Sequence, residues 1–143
     1  MSHVRVWIHA VWGTKNREPL LSQEIRSTVL NHIRENARFK EIHISRLNGY
    51  LDHVHCLFGL NADMTIARAV QLMRGESAYW INKEKLSPRK FEWASEYCAI
   101  SVSESVLETV RAYIESQEEH HRGTTFTEEV TDFLDSHGCS RHG

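Results

Sequence analysis

An α+β fold of the ferredoxin-like, split βαβ kind, an antiparallel sheet with helices on one face and further helices at the C-terminus, is the architecture the chain predicts. Three observations carry it. Four short apolar stretches have strand length, amphipathic helical stretches separate the first from the second and the third from the fourth, and no segment repeats.

Residues 4–12 alternate apolar and polar side chains and end in a solid apolar run, as a strand does. Gly13-Thr14-Lys15-Asn16-Arg17-Glu18-Pro19 breaks the strand into a basic loop. Ser22 is a suitable N-cap, and Ile25, Val29, Ile33 and Ala37 recur at helical spacing, so a helix is expected to about Phe39. Two strands follow, Ile42 to Leu47 and Leu51 to Leu60, with Asn48-Gly49 predicted as the hairpin turn between them. The second is apolar apart from Asp52 and its histidines, which makes it a central strand. Thr65 caps a helix carrying Ile66, Ala69, Val70, Met73 and Ser77 towards Trp80, and the polar stretch around Ser87-Pro88 ends it. Residues 97–102 read as the last strand. Ser103 opens a helix containing Val106, Val110, Tyr113 and Gln117, and a short helix with Val130, Phe133 and Leu134 is expected after Gly123.

With 143 residues, 41% apolar and 25% charged, the chain is expected to form one domain, 1–143, with a genuine core. No apolar run approaches a membrane span, and Met1 to Trp12 carries charge and histidine where a signal peptide needs an apolar centre, so a cytoplasmic protein is expected. Cys56, Cys98 and Cys139 are odd in number and widely spaced, which suits reduced thiols, two of them buried in strands, and no disulfide framework. The net charge of −2 conceals an asymmetry, +6 over residues 1–90 and −8 over 91–143, that allows a basic working face beside an acidic helical one. Solvated surfaces with chance segregation would give the same numbers.

Four clusters carry chemistry. Asp52-His53-Val54-His55 sets two imidazoles two positions apart on a strand, so both point the same way, roughly 7 Å apart at Cα, and can grip one divalent ion. A hydrogen-bonded core histidine is the plainer alternative for either ring. Tyr113 and Gln117, four positions apart, share one helix face, as such pairs do on many surface helices. His120-His121-Arg122 suits the negative end of a helix or a phosphate. Lys15, Asn16 and Arg17, near Trp7 and Trp12, offer phosphate donors beside aromatic surface, although such tryptophans more often belong to a core. A Gly-rich phosphate loop, a GxSxG elbow, an HExxH pair and zinc-finger spacing are all absent, which excludes nucleotide-driven motors and standard hydrolases.

In their order these pieces resemble the small single-tyrosine HUH transposases of bacterial insertion sequences, the IS200-like family, over nearly the whole chain. His9-Ala10-Val11-Trp12-Gly13-Thr14-Lys15-Asn16-Arg17 resembles the first strand and basic loop, and Asp52-His53-Val54-His55 resembles the HUH motif, which places that motif on a central strand. Arg74-Gly75 stands where members commonly carry Lys-Gly; Trp93, Tyr97 and Ser101-Val102-Ser103 precede the nucleophile helix, Tyr113-Ile114-x-x-Gln117-x-x-His120-His121. Thr125-Phe126 with Glu129 resembles the closing segment, and Glu96 replaces a frequent Gly.

The resemblance implies a nuclease in which Tyr113, helped by His53 and His55, attacks single-stranded DNA. It leaves a 5′-phosphotyrosine and a free 3′-hydroxyl. His53, His55 and Gln117 would hold Mg²⁺ or Mn²⁺, and two imidazoles with one amide suit Mn²⁺ better. Lys15, Arg17, Arg74, His120, His121 and Arg122 would contact DNA with hairpin ends. A homodimer is implied, whose sites can pair the histidines of one subunit with the tyrosine helix of the other, with no nucleotide cofactor and no membrane. A domesticated relative acting on chromosomal repeats would share this chemistry, and a catalytically silent nucleic-acid-binding module would share the fold. A structural metal site of His53, His55 and Cys56 is disfavoured, because Cys56 points to the opposite strand face from His55.

Overall fold

The computed structural model describes residues 3–117. Along the chain run β1 (Trp7–Gly13), a 3-10 turn at Lys15–Arg17, α1 (Gln23–Phe39), β2 (His43–Gly49), β3 (His53–Gly59), α2 (Ile66–Lys83), β4 (Cys98–Val102), a second 3-10 turn at Glu104–Val106, and α3 (Leu107–Glu115). The strands form one sheet in the order β2-β3-β1-β4, every neighbouring pair antiparallel, which is the split βαβ topology. The short helix expected after Gly123, and Cys139, lie outside the described residues.

Alternation along the two central strands sorts their side chains between two faces. Ile8, Ala10 and Trp12 of β1 and Val54, Cys56 and Phe58 of β3 join Val29, Leu30, Ile33 and Ala37 of α1 and Ala69, Val70, Met73 and Ile81 of α2 in the main core. The intervening residues face the other way, where Leu57 and Val102 meet Leu107 and Ile114 of α3. The two crossover helices therefore share one face, and the added helix α3 covers part of the other. His9, His53 and His55 belong to that second face by alternation, which is why polar rings occur on strands that are otherwise apolar.

Local signals explain most boundaries. Thr65 Oγ1 accepts from the Arg68 amide at the start of α2, as an N-cap should. Ser22 precedes α1 in extended backbone but makes no side-chain cap. The strand observed as β1 begins later than expected, at Trp7, and β3 spans His53–Gly59 where Leu51 to Leu60 was expected.

The hairpin signal at Asn48-Gly49 is misplaced: both residues are in β2, opposite His55 and Val54, and the chain reverses at residues 50–52, where the Tyr50 amide donates to the His53 carbonyl over 3.0 Å. Gly49 is required by proximity, because a Cβ there would lie 2.4 Å from the His53 carbonyl oxygen. Backbone cannot yield as a flexible side chain would. Gly49→Ala is expected to destabilise the protein by about 1–3 kcal/mol, read as a lower denaturant midpoint at unchanged slope. Of the two strand cysteines, Cys56 is buried but Cys98, first residue of an edge strand, is only half-buried. Among the described residues no helix is long and apolar enough to cross a membrane.

Candidate active site

The second face of the sheet brings His53, His55, Tyr113 and Gln117 together under α3. His53 opens β3 opposite Gly13, and His55 lies opposite Val11 on β1 and Asn48 on β2. The preceding turn is pinned from two sides: the Asp52 carbonyl accepts from the Thr14 amide at 2.8 Å, and the Leu51 carbonyl from the Leu21 amide at 2.9 Å. His53, His55 and Gln117 are 0%, 1% and 0% exposed, whereas Tyr113 is half-buried. Such burial of imidazole and amide needs polar partners to offset lost hydration.

Those partners are specific. His53 Nδ1 lies 2.9 Å from Asp52 Oδ1, and His53 Nε2 lies 3.3 Å from Gln117 Oε1. Gln117 Nε2 donates to the Tyr113 carbonyl one turn back, which fixes the amide with its oxygen towards His53. His55 Nδ1 lies 2.9 Å from Nε2 of His9, a residue only 3% exposed. The Tyr113 ring meets His55 edge-on with centroids 5.5 Å apart and His9 with centroids 6.2 Å apart, and the His53 and His55 rings are 5.2 Å apart.

Helix α3 is fastened by its C-terminal end. Asn48 Nδ2 donates to the carbonyls of Ile114 and Glu115, at 3.0 and 3.2 Å, satisfying groups a helix end leaves open. Arg46 pairs with Glu115, and Arg111 donates to Ser45 Oγ. Edge strand β2 thereby sets where Tyr113 and Gln117 stand over β3.

The residues present fit a divalent ion. With Nδ1–H donating to the Asp52 carboxylate, a neutral His53 turns the Nε2 lone pair towards Gln117 Oε1, so two acceptors face each other 3.3 Å apart. That arrangement calls for positive charge, either a second ring proton or a cation, and the distance suits two donors each about 2.1 Å from one ion. Cys56 takes no part. Its side chain lies in the core on the other face beside Met73, and burial pushes its thiol pKa up.

The other candidates are dispersed. Lys15 and Arg17 are exposed on the turn after β1, where Asn16 and Arg17 have φ of 57° and 55°. Lys15 pairs with Glu92 at 2.9 Å and Lys90 with the same carboxylate at 3.2 Å; the hydrogen bond from Lys15, then that from Lys90, holds the Glu92 carboxyl below its usual range. Arg74 is turned towards the 94–97 segment, donating to the carbonyls of Ala94 and Ser95 with its guanidinium 5.2 Å from the Tyr97 ring. Trp12 is core, and Trp7, half-buried, packs under Arg111. His120, His121 and Arg122 lie outside the described residues.

Sequence reasoning gave no site role to His9 or Asn48 and took Asp52 only as the residue that heads the histidine motif. Its place next to His53 was the signal for an orienting role. His9 and Asn48 needed the register that sets β1 and β2 beside His55, which no spacing along the chain reveals.

The sequence model described as "Transposase IS200 like" matches residues 2–117. The ISDra2 transposase TnpA of Deinococcus radiodurans is 30% identical over 115 residues, covering 76% of this chain and 81% of that protein. A crystal structure of a D. radiodurans R1 chain described as a transposase superposes with a TM-score of 0.64 at 24% identity, over 81% of this chain and 93% of that one. A REP-associated tyrosine transposase bound to a REP hairpin gives 0.61 at 16% identity, over 85% and 74%. These two likenesses show a shared fold, and the match over residues 2–117 with the ISDra2 relative shows the lineage: the chain belongs to the IS200-like transposase family.

Proposed function

We propose that this chain is a metal-dependent single-tyrosine transposase that cleaves and rejoins single-stranded DNA at insertion-sequence ends through a 5′-phosphotyrosine. The observation that carries the reading is the convergence of His53, His55 and Gln117 beneath the half-buried ring of Tyr113.

Tyr113 Oη is the nucleophile. It attacks the phosphorus of a phosphodiester, the phenolic proton leaves, the P–O3′ bond breaks, and the departing oxygen takes up a proton as a 3′-hydroxyl. The 5′-phosphate stays on Tyr113. Because that ester retains the bond's free energy, a 3′-hydroxyl from another strand reverses the step without ATP. A Mg²⁺ or Mn²⁺ held by His53, His55 and Gln117 would neutralise charge on the phosphate during the transfer. Asp52 orients the His53 ring, α3 holds the tyrosine above the histidines, and the Leu57, Val102, Leu107 and Ile114 cluster closes the site on one side. One tyrosine holds one strand end, so strand exchange requires two sites, and a homodimer is the simplest supplier.

Exposed Lys15 and Arg17 are the proposed phosphate contacts of the described chain, with Arg74 a weaker candidate because its guanidinium already serves two carbonyls. His120, His121 and Arg122 complete the set by resemblance. The hairpin held by the REP-associated neighbour supports hairpin DNA as the substrate class. Glu92 restrains Lys15 and Lys90, so Glu92→Gln is expected to tighten single-stranded DNA binding several-fold at low salt. The same change should steepen the salt dependence by up to about 0.7 per freed lysine. Fluorescence anisotropy across a salt series checks this.

The deciding experiment incubates the protein with labelled single-stranded DNA carrying the hairpins that flank its own gene, with Mn²⁺, Mg²⁺ or EDTA. A covalent adduct on a denaturing gel, present with metal and absent with EDTA, is the expected result. Tight binding without adduct under any condition would favour a silent binding module.

A further inference from the structure

We infer that His9 is a positioning residue that fixes the tautomer of His55, doing for that ring what Asp52 does for His53. The inference rests on the proposed metal site and goes beyond it, because it assigns a requirement to a residue on a different strand.

A neutral imidazole offers one bare nitrogen, and the other carries the proton. His55 Nδ1 lies 2.9 Å from His9 Nε2 and is committed to that hydrogen bond, so an ion held by His55 would be met by its Nε2. For Nε2 to be bare, Nδ1 must hold the proton and donate it, and His9 Nε2 must accept. His9 then carries its own proton on Nδ1. The opposite polarity, with His9 donating, would put the proton on His55 Nε2 and disable it as a ligand. On His53 the polarity is already set, because a carboxylate only accepts. Both candidate ligands thus have Nδ1 held and Nε2 presented, one by Asp52 from the preceding turn and one by His9 from the neighbouring strand.

The strand register makes the arrangement rigid. His9 is paired with Leu57 and Val11 with His55, so His9 and His55 are diagonal neighbours on one face of an antiparallel pair, within reach of ring side chains. At 3% exposure His9 has little room to turn, and its ring also lies edge-on to Tyr113. Orienting partners of this kind typically change metal affinity by about 10–100-fold when removed.

The test has two arms, neither of which reads activity. Long-range ¹H–¹⁵N correlation spectra of the full-length, metal-free, ¹⁵N-histidine-labelled protein report which nitrogen of His55 is protonated. The expected result is Nδ1–H with Nε2 bare; a proton on Nε2 overturns the inference without any variant. Mn²⁺ titration followed by the free-ion paramagnetic resonance signal forms the second arm. His9→Leu, which cannot accept, should bind Mn²⁺ about 10–100-fold more weakly, whereas His9→Gln, whose Oε1 can accept the same proton, should stay within about threefold of the parent. Equal affinity of His9→Leu and parent overturns the inference, as does equal weakening in both variants. Should His9→Leu fail to fold by circular dichroism, the spectra and His9→Gln still decide. A parent that binds no Mn²⁺ refutes the metal site itself, while the spectra still answer the question about His9.

Discussion

Tyr113→Phe is expected to abolish covalent attachment to DNA, lowering strand cleavage by on the order of 10⁴-fold or more, because it removes the phenolic oxygen that forms the phosphoester. The fold should survive. Phenylalanine keeps the edge-on ring contacts with His9 and His55, and the Gln117 amide bonds to the backbone carbonyl of residue 113, which the substitution leaves in place. Stability should change by no more than about 1 kcal/mol, and affinities for hairpin DNA and Mn²⁺ should be nearly unchanged. Gel analysis of adducts beside a thermal melt and a binding isotherm makes the comparison. A variant that still forms the adduct would move the nucleophile elsewhere.

His53→Ala should have the second-largest effect, and on more than one property. It removes a proposed ligand, leaves the Asp52 carboxylate without its imidazole partner and opens a hole where a fully buried ring stood. The metal-free protein should lose about 1–3 kcal/mol in denaturant unfolding from the disrupted polar contacts. Mn²⁺ binding should fall below detection at concentrations that saturate the parent. Cleavage should drop by on the order of 10³-fold, the scale reported when one preorganised electrostatic contact is removed from an active site. A His53→Ala protein retaining the parent's Mn²⁺ dependence would show that the ion, if required, binds elsewhere. Asp52→Asn separates orientation from ligation: Asn keeps the side-chain shape but loses the charge, so Mn²⁺ affinity should weaken by about tenfold while DNA binding holds.

The architecture was legible because each element carries a local signal strong enough to survive packing. Ile25, Val29, Ile33 and Ala37 keep helical spacing, Thr65 caps where a threonine should, and the strand containing His53 and His55 is too apolar to be anywhere but central. The face shared by the two histidines followed from strand alternation; Tyr113 and Gln117 meet as helical spacing expects, but α3 ends at Glu115 and Gln117 follows its C-cap, held by the bond from its amide to the Tyr113 carbonyl. Turn chemistry misled at Asn48-Gly49. There the glycine answers a close approach of the His53 carbonyl, and the asparagine side chain reaches across to the end of α3, so both residues serve tertiary contacts and the reversal moves on to residues 50–52. Local propensity cannot anticipate a requirement imposed by a helix more than sixty residues away.

The same limit explains the roles the sequence concealed. His9 read as one more polar residue on an alternating strand; only the β1–β3 register sets it beside His55. Arg74, expected among the DNA contacts, is spent largely on the carbonyls of Ala94 and Ser95, because the segment between α2 and β4 has few regular hydrogen bonds and needs side chains to tether it. Lys15 likewise has an acidic neighbour, Glu92, contributed by that segment, so the basic loop is less bare than its composition suggests. Charge counted along the chain does not reveal which charges cancel across it.

Mass spectrometry of the trapped adduct reads whether the phenolic oxygen of Tyr113 becomes bonded to a DNA 5′-phosphate. The protein would be reacted with hairpin-bearing single-stranded DNA and Mn²⁺, the adduct digested with protease and nuclease, and the modified peptide sequenced. A nucleotide 5′-phosphate on the peptide containing Tyr113, with the released strand ending in a 3′-hydroxyl, is the predicted result. A nucleotide on any other residue, a 3′-phosphate linkage, or cleaved DNA with no protein attached would contradict it.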